Sequence, residues 1–82
     1  MKIDPEILNT LKHEIAKETG LPVSDIDDHA TFNSLGLDSI SSVFILDKIE
    51  KQLKIEMNPL FFWDYPTVGL LAQHITSLHK NE

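Results

Sequence analysis

The residues best placed to do chemistry in this 82-residue chain are Asp38 and Ser39, which follow Gly36 and Leu37 at the apparent start of a helix. A serine hydroxyl in that position has three uses. It can belong to a helix cap, because Ser and Asp satisfy the free N–H groups of a first helical turn. It can be a nucleophile, but that reading needs a G-x-S-x-G elbow between a strand and a helix of a large α/β sheet. Gly36-Leu37-Asp38-Ser39-Ile40 has neither that spacing nor the second glycine, and the chain is too short to build such a sheet. It can also be a point of attachment. A hydroxyl in a first helical turn is uncovered on one side, and it faces the positive end of the helix dipole and the unpaired N–H groups there. Both suit a phosphate ester. Gly36 would let the approach bend tightly and leave room for a partner. Local chemistry excludes the nucleophile almost entirely and leaves the cap and the attachment point open.

Metal chemistry finds no support. His74 and His79 are five residues apart, whereas two ligands on one helical face need three or four. His13 and His29 stand elsewhere, without a carboxylate cluster. The run Asp25-Ile26-Asp27-Asp28 lacks the alternating aspartates, glycine and closing glutamate of a calcium loop. With no cysteine, neither a disulfide framework nor a thiolate site can form.

Four helical segments must position these residues, and no strand is apparent. Ile7, Leu8, Leu11 and Ile15 form a helical stripe after Asp4 as N-cap and Pro5 at the first position, with Gly20 and Pro22 as the stop. A long link follows from Leu21 to Asp38, a length expected to pack down or serve function. Val23, Ile26, Phe32 and Leu35 should pin it to the core. The second helix is expected from Ser39 to about Leu53, with Asp38 as N-cap. Its apolar face should comprise Ile40, Val43, Leu46 with Phe44, Ile49 and Leu53. Pro59 to Trp63 suits one short helical turn carrying bulky anchors and ended by Pro66. Thr67 then caps a last helix with Val68, Leu71, Ile75 and Leu78 on one face. The expected fold is all-α: a four-helix bundle with one very short helix and a long first loop, a single domain over 1–82 with its ordered core at about 4–79.

Composition narrows the partners. A chain of this length buries about 60% of its unfolded surface, which limits the core. Its 41% hydrophobic and 24% charged residues suit a soluble globular protein. A net charge of −6 without a clustered basic patch argues against nucleic acid. The longest apolar runs are four residues and the N-terminus has no secretory h-region, so neither a membrane span nor a signal peptide is expected. A cytoplasmic monomer is the default. The loop from Leu21 to Asp38 holds four acids and no lysine, whereas Ser39 to Lys54 holds two acids against three lysines.

Leu35-Gly36-Leu37-Asp38-Ser39-Ile40 resembles the modification motif of acyl carrier proteins, whose serine carries 4′-phosphopantetheine. Further on, Phe62-Trp63-Asp64-Tyr65-Pro66-Thr67-Val68 resembles the F-D-Y-P-T-V signature of carrier domains from modular polyketide synthases, and Leu71 to Ile75 is similar to the family's last helix. Phe32 and Leu35 match its approach to the serine, and Ile15 to Asp25 resembles the end of its first helix and the loop beyond. The resemblance runs from about Ile7 to Leu78. It implies a non-enzymatic carrier with Ser39 as the attachment site and Asp38 as motif partner and cap. A phosphopantetheinyl transferase would load the group from coenzyme A with Mg²⁺. Acyl-loading enzymes, a ketosynthase and other biosynthetic enzymes would then dock. Leu37 and Ile40 would be exposed apolar contacts for them, and Lys48 and Lys51 charged ones. Phe61, Phe62 and Trp63 are expected chiefly as core anchors and short-helix contacts.

Two departures refine this. Carriers of dissociated fatty-acid synthesis share a strongly acidic second helix, whereas Lys48, Lys51 and Lys54 stand here. The tryptophan that some β-branching polyketide carriers show six residues after the serine is Ile45 in this chain. Two alternatives stay open: a peptidyl carrier of non-ribosomal peptide synthesis, which has the same attachment chemistry, and an unmodified helical interaction domain in which Ser39 only caps. Met1 and the short termini lean towards a free-standing protein.

Overall fold

In the computed structural model, which describes residues 3–80, the three long helices begin at the side-chain caps their sequence supplies. Asp4 accepts the Glu6 N–H at 2.9 Å, and α1 runs Pro5–Thr19. Gly20, at φ 79°, turns the chain away through a left-handed conformation open to glycine. Asp38 caps α2, Ser39–Leu53, which ends at Lys54 in the left-handed region with φ 57°. The single turn α3, Phe61–Asp64, precedes α4, Val68–Lys80, and the Thr67 hydroxyl accepts the Leu70 N–H at 3.2 Å. The all-α reading and the four helices agree with the sequence. No helix among the described residues is long and apolar enough to cross a membrane.

α1 packs against both α2 and α4. Leu11, Ile15, Ile45, Ile49, Leu71 and Ile75 fill the centre with at most 1% of their surface exposed. Thr76 fastens the two ends of the chain. Its buried hydroxyl accepts the Asp4 N–H at 3.0 Å and donates to the Ala72 carbonyl at 2.7 Å, so the α1 cap is tied to α4.

The long link is not free. It makes one 3₁₀ turn at Val23–Asp25, buries Ile26 and Phe32, and packs the half-buried Leu35 on the core. Its second half is latched to the start of α4 by three backbone bonds: Phe32 N–H to Pro66 O at 3.3 Å, Val68 N–H to Ala30 O at 3.0 Å, and Gly69 N–H to Asp28 O at 2.7 Å. A Cβ on Gly69 would stand 3.0 Å from the Asp28 carbonyl oxygen, so any larger residue would require the two segments to ease apart.

Two sequence expectations need correction. The face of α2 turned to the core is Ser42, Ile45, Leu46 and Ile49, whereas Ile40, Val43 and Phe44 are exposed. This helix has more apolar positions than one face can hold. The stripe through Ser42, Ile45, Leu46 and Ile49 also keeps the i, i+3, i+4, i+7 spacing, and the bundle buries that one. Trp63 is likewise not a core anchor, at 82% exposed; a helix of four residues turns Phe61 and Phe62 inward and leaves the next ring outside.

Thr76→Val keeps the shape of the side chain but removes both hydrogen bonds, leaving the part-buried Asp4 N–H without its acceptor. Urea denaturation should show a loss of about 1–3 kcal/mol; an unchanged midpoint would mean that this clasp contributes nothing.

Candidate functional site

The approach to Ser39 is a folded turn. Leu35 and Leu37 both donate their N–H groups to the Phe32 carbonyl, at 3.2 and 3.1 Å, and Gly36 donates to Asn33 O at 3.1 Å. Closing this reversal puts Gly36 at φ 82°. No atom lies within 4 Å of where its Cβ would be, so the demand for glycine is conformational and not spatial. The reversal also carries Leu37 inward. Expected as an exposed contact, Leu37 is 8% exposed and belongs to the core. Its bond to Phe32 draws it under the loop. Ile40, one residue past the serine, is 81% exposed, as anticipated.

Asp38 and Ser39 divide the work at the helix end. The Asp38 Oδ1 accepts the Ser41 N–H at 2.7 Å. That bond, with further help from the Ser41 side chain, holds the carboxyl below the ordinary aspartate value of 3.8. Ser39 is the first residue of α2 and is exposed, and its hydroxyl has no hydrogen-bond partner among the described residues. The cap is thus made by Asp38, and Ser39 is left open to reagents.

A groove of about 560 Å³ opens beside Ser39, between the first turns of α2 and the segment around α3. Ser42 and Val43 line it from α2, and Leu60, Phe62 and Trp63 from the other side. Phe32 also lines it and meets the Phe62 ring edge-to-face at 4.6 Å, so the loop and α3 share one aromatic contact. Sequence reasoning missed this groove and the part of Ser42 in it. The available signal was the crowding of Leu60 to Trp63, more bulk than one helical turn can bury.

The lysines of α2 are not equivalent. Lys51 lies on the surface, 3.1 Å from Asp47. The Lys48 ammonium lies 4.6 Å from the centre of the Phe44 ring and 3.9 Å from Oε1 of Glu14, a carboxylate buried at 4% exposure. The other Glu14 oxygen takes a bond from Gln52 at 2.8 Å and lies 3.5 Å from Lys17. His74 stacks on Tyr65 at 4.1 Å with Phe61 edge-on at 4.6 Å, an aromatic packing role. No group of three or more His, Asp or Glu among the described residues could hold a metal ion.

Because folding lowers the Asp38 pKa, the cap adds stability that is present above the unfolded aspartate value and is lost as pH falls through the lower folded value. Asp38→Ala should therefore raise amide exchange in residues 39–42 several-fold at neutral pH. The difference from wild type should shrink on acidification below about pH 4. An equal difference at all pH values would refute the role of the charged cap.

Comparison with known proteins agrees with this geometry. Residues 9–75 match the family model described as "Phosphopantetheine attachment site". Polyketide synthase PksN of Bacillus subtilis is 34% identical over 71 residues, which is 87% of this chain and 1% of that protein. Non-reducing polyketide synthase 1 of Elsinoe fawcettii is 37% identical over 65 residues, 79% of this chain and 3% of that one. This chain therefore spans only a small part of either synthase. Among solved structures, a free-standing peptidyl carrier protein from Acinetobacter baumannii superposes with a TM-score of 0.80 at 34% identity, covering 85% of this chain and 88% of that one. The HMG-ACPI domain of the CurA module from Lyngbya majuscula gives 0.81 at 30%, covering 93% and 78%. An exposed serine beside a capped helix end, a glycine-dependent turn before it and the match over most of its length lead to one assignment: the chain belongs to the phosphopantetheine-attachment family, the non-catalytic carrier domains to which 4′-phosphopantetheine is covalently joined.

Proposed function

We propose that this chain is an acyl carrier of polyketide type and that Ser39 is its attachment residue. The observation that carries this is the exposed, unpartnered Ser39 hydroxyl at the head of α2, with the neighbouring carboxylate already engaged by Ser41. The residues present fit 4′-phosphopantetheine: the hydroxyl is open to an incoming phosphate, and an apolar groove begins beside it. In the loading step a phosphopantetheinyl transferase brings coenzyme A with Mg²⁺. The Ser39 oxygen forms a bond to the phosphorus next to the pantetheine, its proton passes to a base on the transferase, and adenosine 3′,5′-bisphosphate leaves. When attached, the group supplies the terminal thiol on which acyl chains are held as thioesters. The chain has no cysteine to compete for them.

Partner enzymes, with a ketosynthase among them, would meet the surface around Ser39. Its apolar part is Ile40, Val43, Phe44, Leu60 and Trp63, all at least 46% exposed. Its charged part is Asp47, Lys48 and Lys51. Charges on such a rim act on encounter rate and partner choice more than on affinity. Lys51 pairs only with Asp47 on the surface, whereas Lys48 also faces the buried Glu14. A peptidyl carrier is the second reading, and the likeness to the Acinetobacter baumannii protein favours it. The polyketide synthases among the sequence relatives favour the first.

Incubation with coenzyme A and a broad-range transferase should add the mass of one phosphopantetheine, and Ser39→Ala should abolish the gain. No gain under conditions that load a control carrier would overturn the assignment. Supplying malonyl and aminoacyl forms of coenzyme A, with candidate partner enzymes, then separates the two cargo classes.

Lys51→Glu should slow transfer to or from a partner enzyme several-fold at low salt, less so at high salt, with only a small fall in melting temperature from the lost surface pair with Asp47. Lys48→Glu should in addition lower the melting temperature, since it sets a second carboxylate against Glu14. Transfer rates indifferent to both changes at every ionic strength would remove this face from the docking surface.

A further inference from the structure

We propose that Glu14, buried beneath α2, is a specificity-determining residue for docking. By holding Lys48 back it limits the positive charge that α2 offers, and it favours partners that bring an apolar side chain to Phe44 and one carboxylate to Lys51; this rests on the docking face described above. Glu14 stands on the buried side of α1, beside Ile15 and one turn after Leu11. Its two oxygens differ. Oε2 accepts from the Gln52 amide at 2.8 Å and lies 3.5 Å from the Lys17 ammonium. Oε1 is buried with no hydrogen-bond partner among the described residues, and the Lys48 ammonium approaches it to 3.9 Å. An oxygen left unpaired on a buried carboxylate is costly and draws a nearby cation. The same ammonium lies over the Phe44 ring, 4.6 Å from its centre, so Lys48 is held between an internal charge and an aromatic face. Its side chain is 37% exposed, against 77% for Lys51 on the next turn.

Packing does not explain this carboxylate. Buried ion pairs are often replaced by apolar side chains of similar volume at no loss of stability. A leucine or methionine would fill the same place between α1 and α2. Neither lysine needs Glu14, since both side chains already reach water. What Glu14 does that an apolar residue could not is retain Lys48. The outer side of α2 then presents Ile40, Val43 and Phe44 as apolar surface and Lys51 as its outward cation. A partner that brought two carboxylates would set one of them against a lysine already opposed from within. A partner with an apolar side chain over Phe44 and one carboxylate near Lys51 meets no such conflict.

The test uses Glu14→Gln, which removes the charge and keeps the shape, with Glu14→Met as a second variant should the amide disturb packing. Nuclear magnetic resonance reads the retention without any partner. In wild type the ε-methylene protons of Lys48 should lie upfield of those of Lys51, shielded by the Phe44 ring; in either variant they should move to the Lys51 position. Matched anionic and cationic nitroxides, added in turn, report the local potential through proton relaxation. The anionic-to-cationic ratio around residues 44–51 should rise several-fold in Glu14→Gln, and that rise should vanish when Lys48→Gln is added. Lys48 protons that do not move would overturn the inference. So would a rise that survives Lys48→Gln, since Glu14 would then act by its own charge alone. The partner arm compares a broad-range transferase with a form of it bearing one extra carboxylate on its carrier-facing rim. Glu14→Gln should shift preference towards the more acidic form several-fold at low salt, through KM and not kcat. An unchanged preference would overturn the claim of specificity. Lys51→Glu is measured alongside: rates indifferent to it would show that the docking face itself is wrong, a separate failure that takes this inference with it.

Discussion

The pairing of the long loop with the start of α4 is the constraint on which the rest depends. Without it, residues 20–38 would be a tether of many conformations between two helices, and α2 would have no fixed entry. The backbone bonds from Asp28, Ala30 and Phe32 to the Pro66–Gly69 segment turn that tether into a strut. Phe32 then does two things at once: its ring braces Phe62 of α3, and its carbonyl closes the turn that presents Ser39. The serine and the aromatic wall beside it are far apart in sequence, and this one loop sets their distance. The close approach is permitted at Gly69, where a methyl group would meet the Asp28 carbonyl oxygen at 3.0 Å.

At the head of α2 two needs compete for the same place. A helix start requires an acceptor for its free N–H groups, and an attachment point requires a hydroxyl free of local partners. Asp38 meets the first need, which leaves the Ser39 hydroxyl without a local partner, as the proposed attachment requires. A lone serine would have had to choose, since a capping hydroxyl points back at its own backbone. The adjacent carboxylate therefore matters to reactivity through what it spares the serine from doing.

Much of this was legible in the sequence where local chemistry decides. Asp4-Pro5 and Asp38-Ser39 announce helix starts, Gly20 announces a stop, and the apolar stripes of α1 and α4 have one interpretation each. Reading failed where tertiary packing chose between local options. α2 offers two apolar stripes; the bundle took Ile45, Leu46 and Ile49 and left Ile40, Val43 and Phe44 outside. Spacing alone does not rank them. Leu37 sits in a motif whose neighbours are exposed, and its burial follows from a turn closed by a carbonyl five residues earlier. Trp63 looked like an anchor because large rings are usually buried, yet a single helical turn has room for two inward rings and not three. The groove has no local signature, as its walls come from separate segments of the chain.

The contact between Lys48 and Glu14 joins the surface of α2 to its interior. Lys51 pairs only with Asp47 on the surface, so under the proposed docking it can be exchanged at little internal cost. Lys48 is less free, since its ammonium, together with Lys17 and the Gln52 amide, faces a carboxylate buried between helices. Under the proposed docking, a change of charge on this face therefore meets one letter tied to the interior. A graft that replaces Lys48 leaves the buried Glu14 to Lys17 and Gln52 alone, so recognition and folding here would share part of one alphabet.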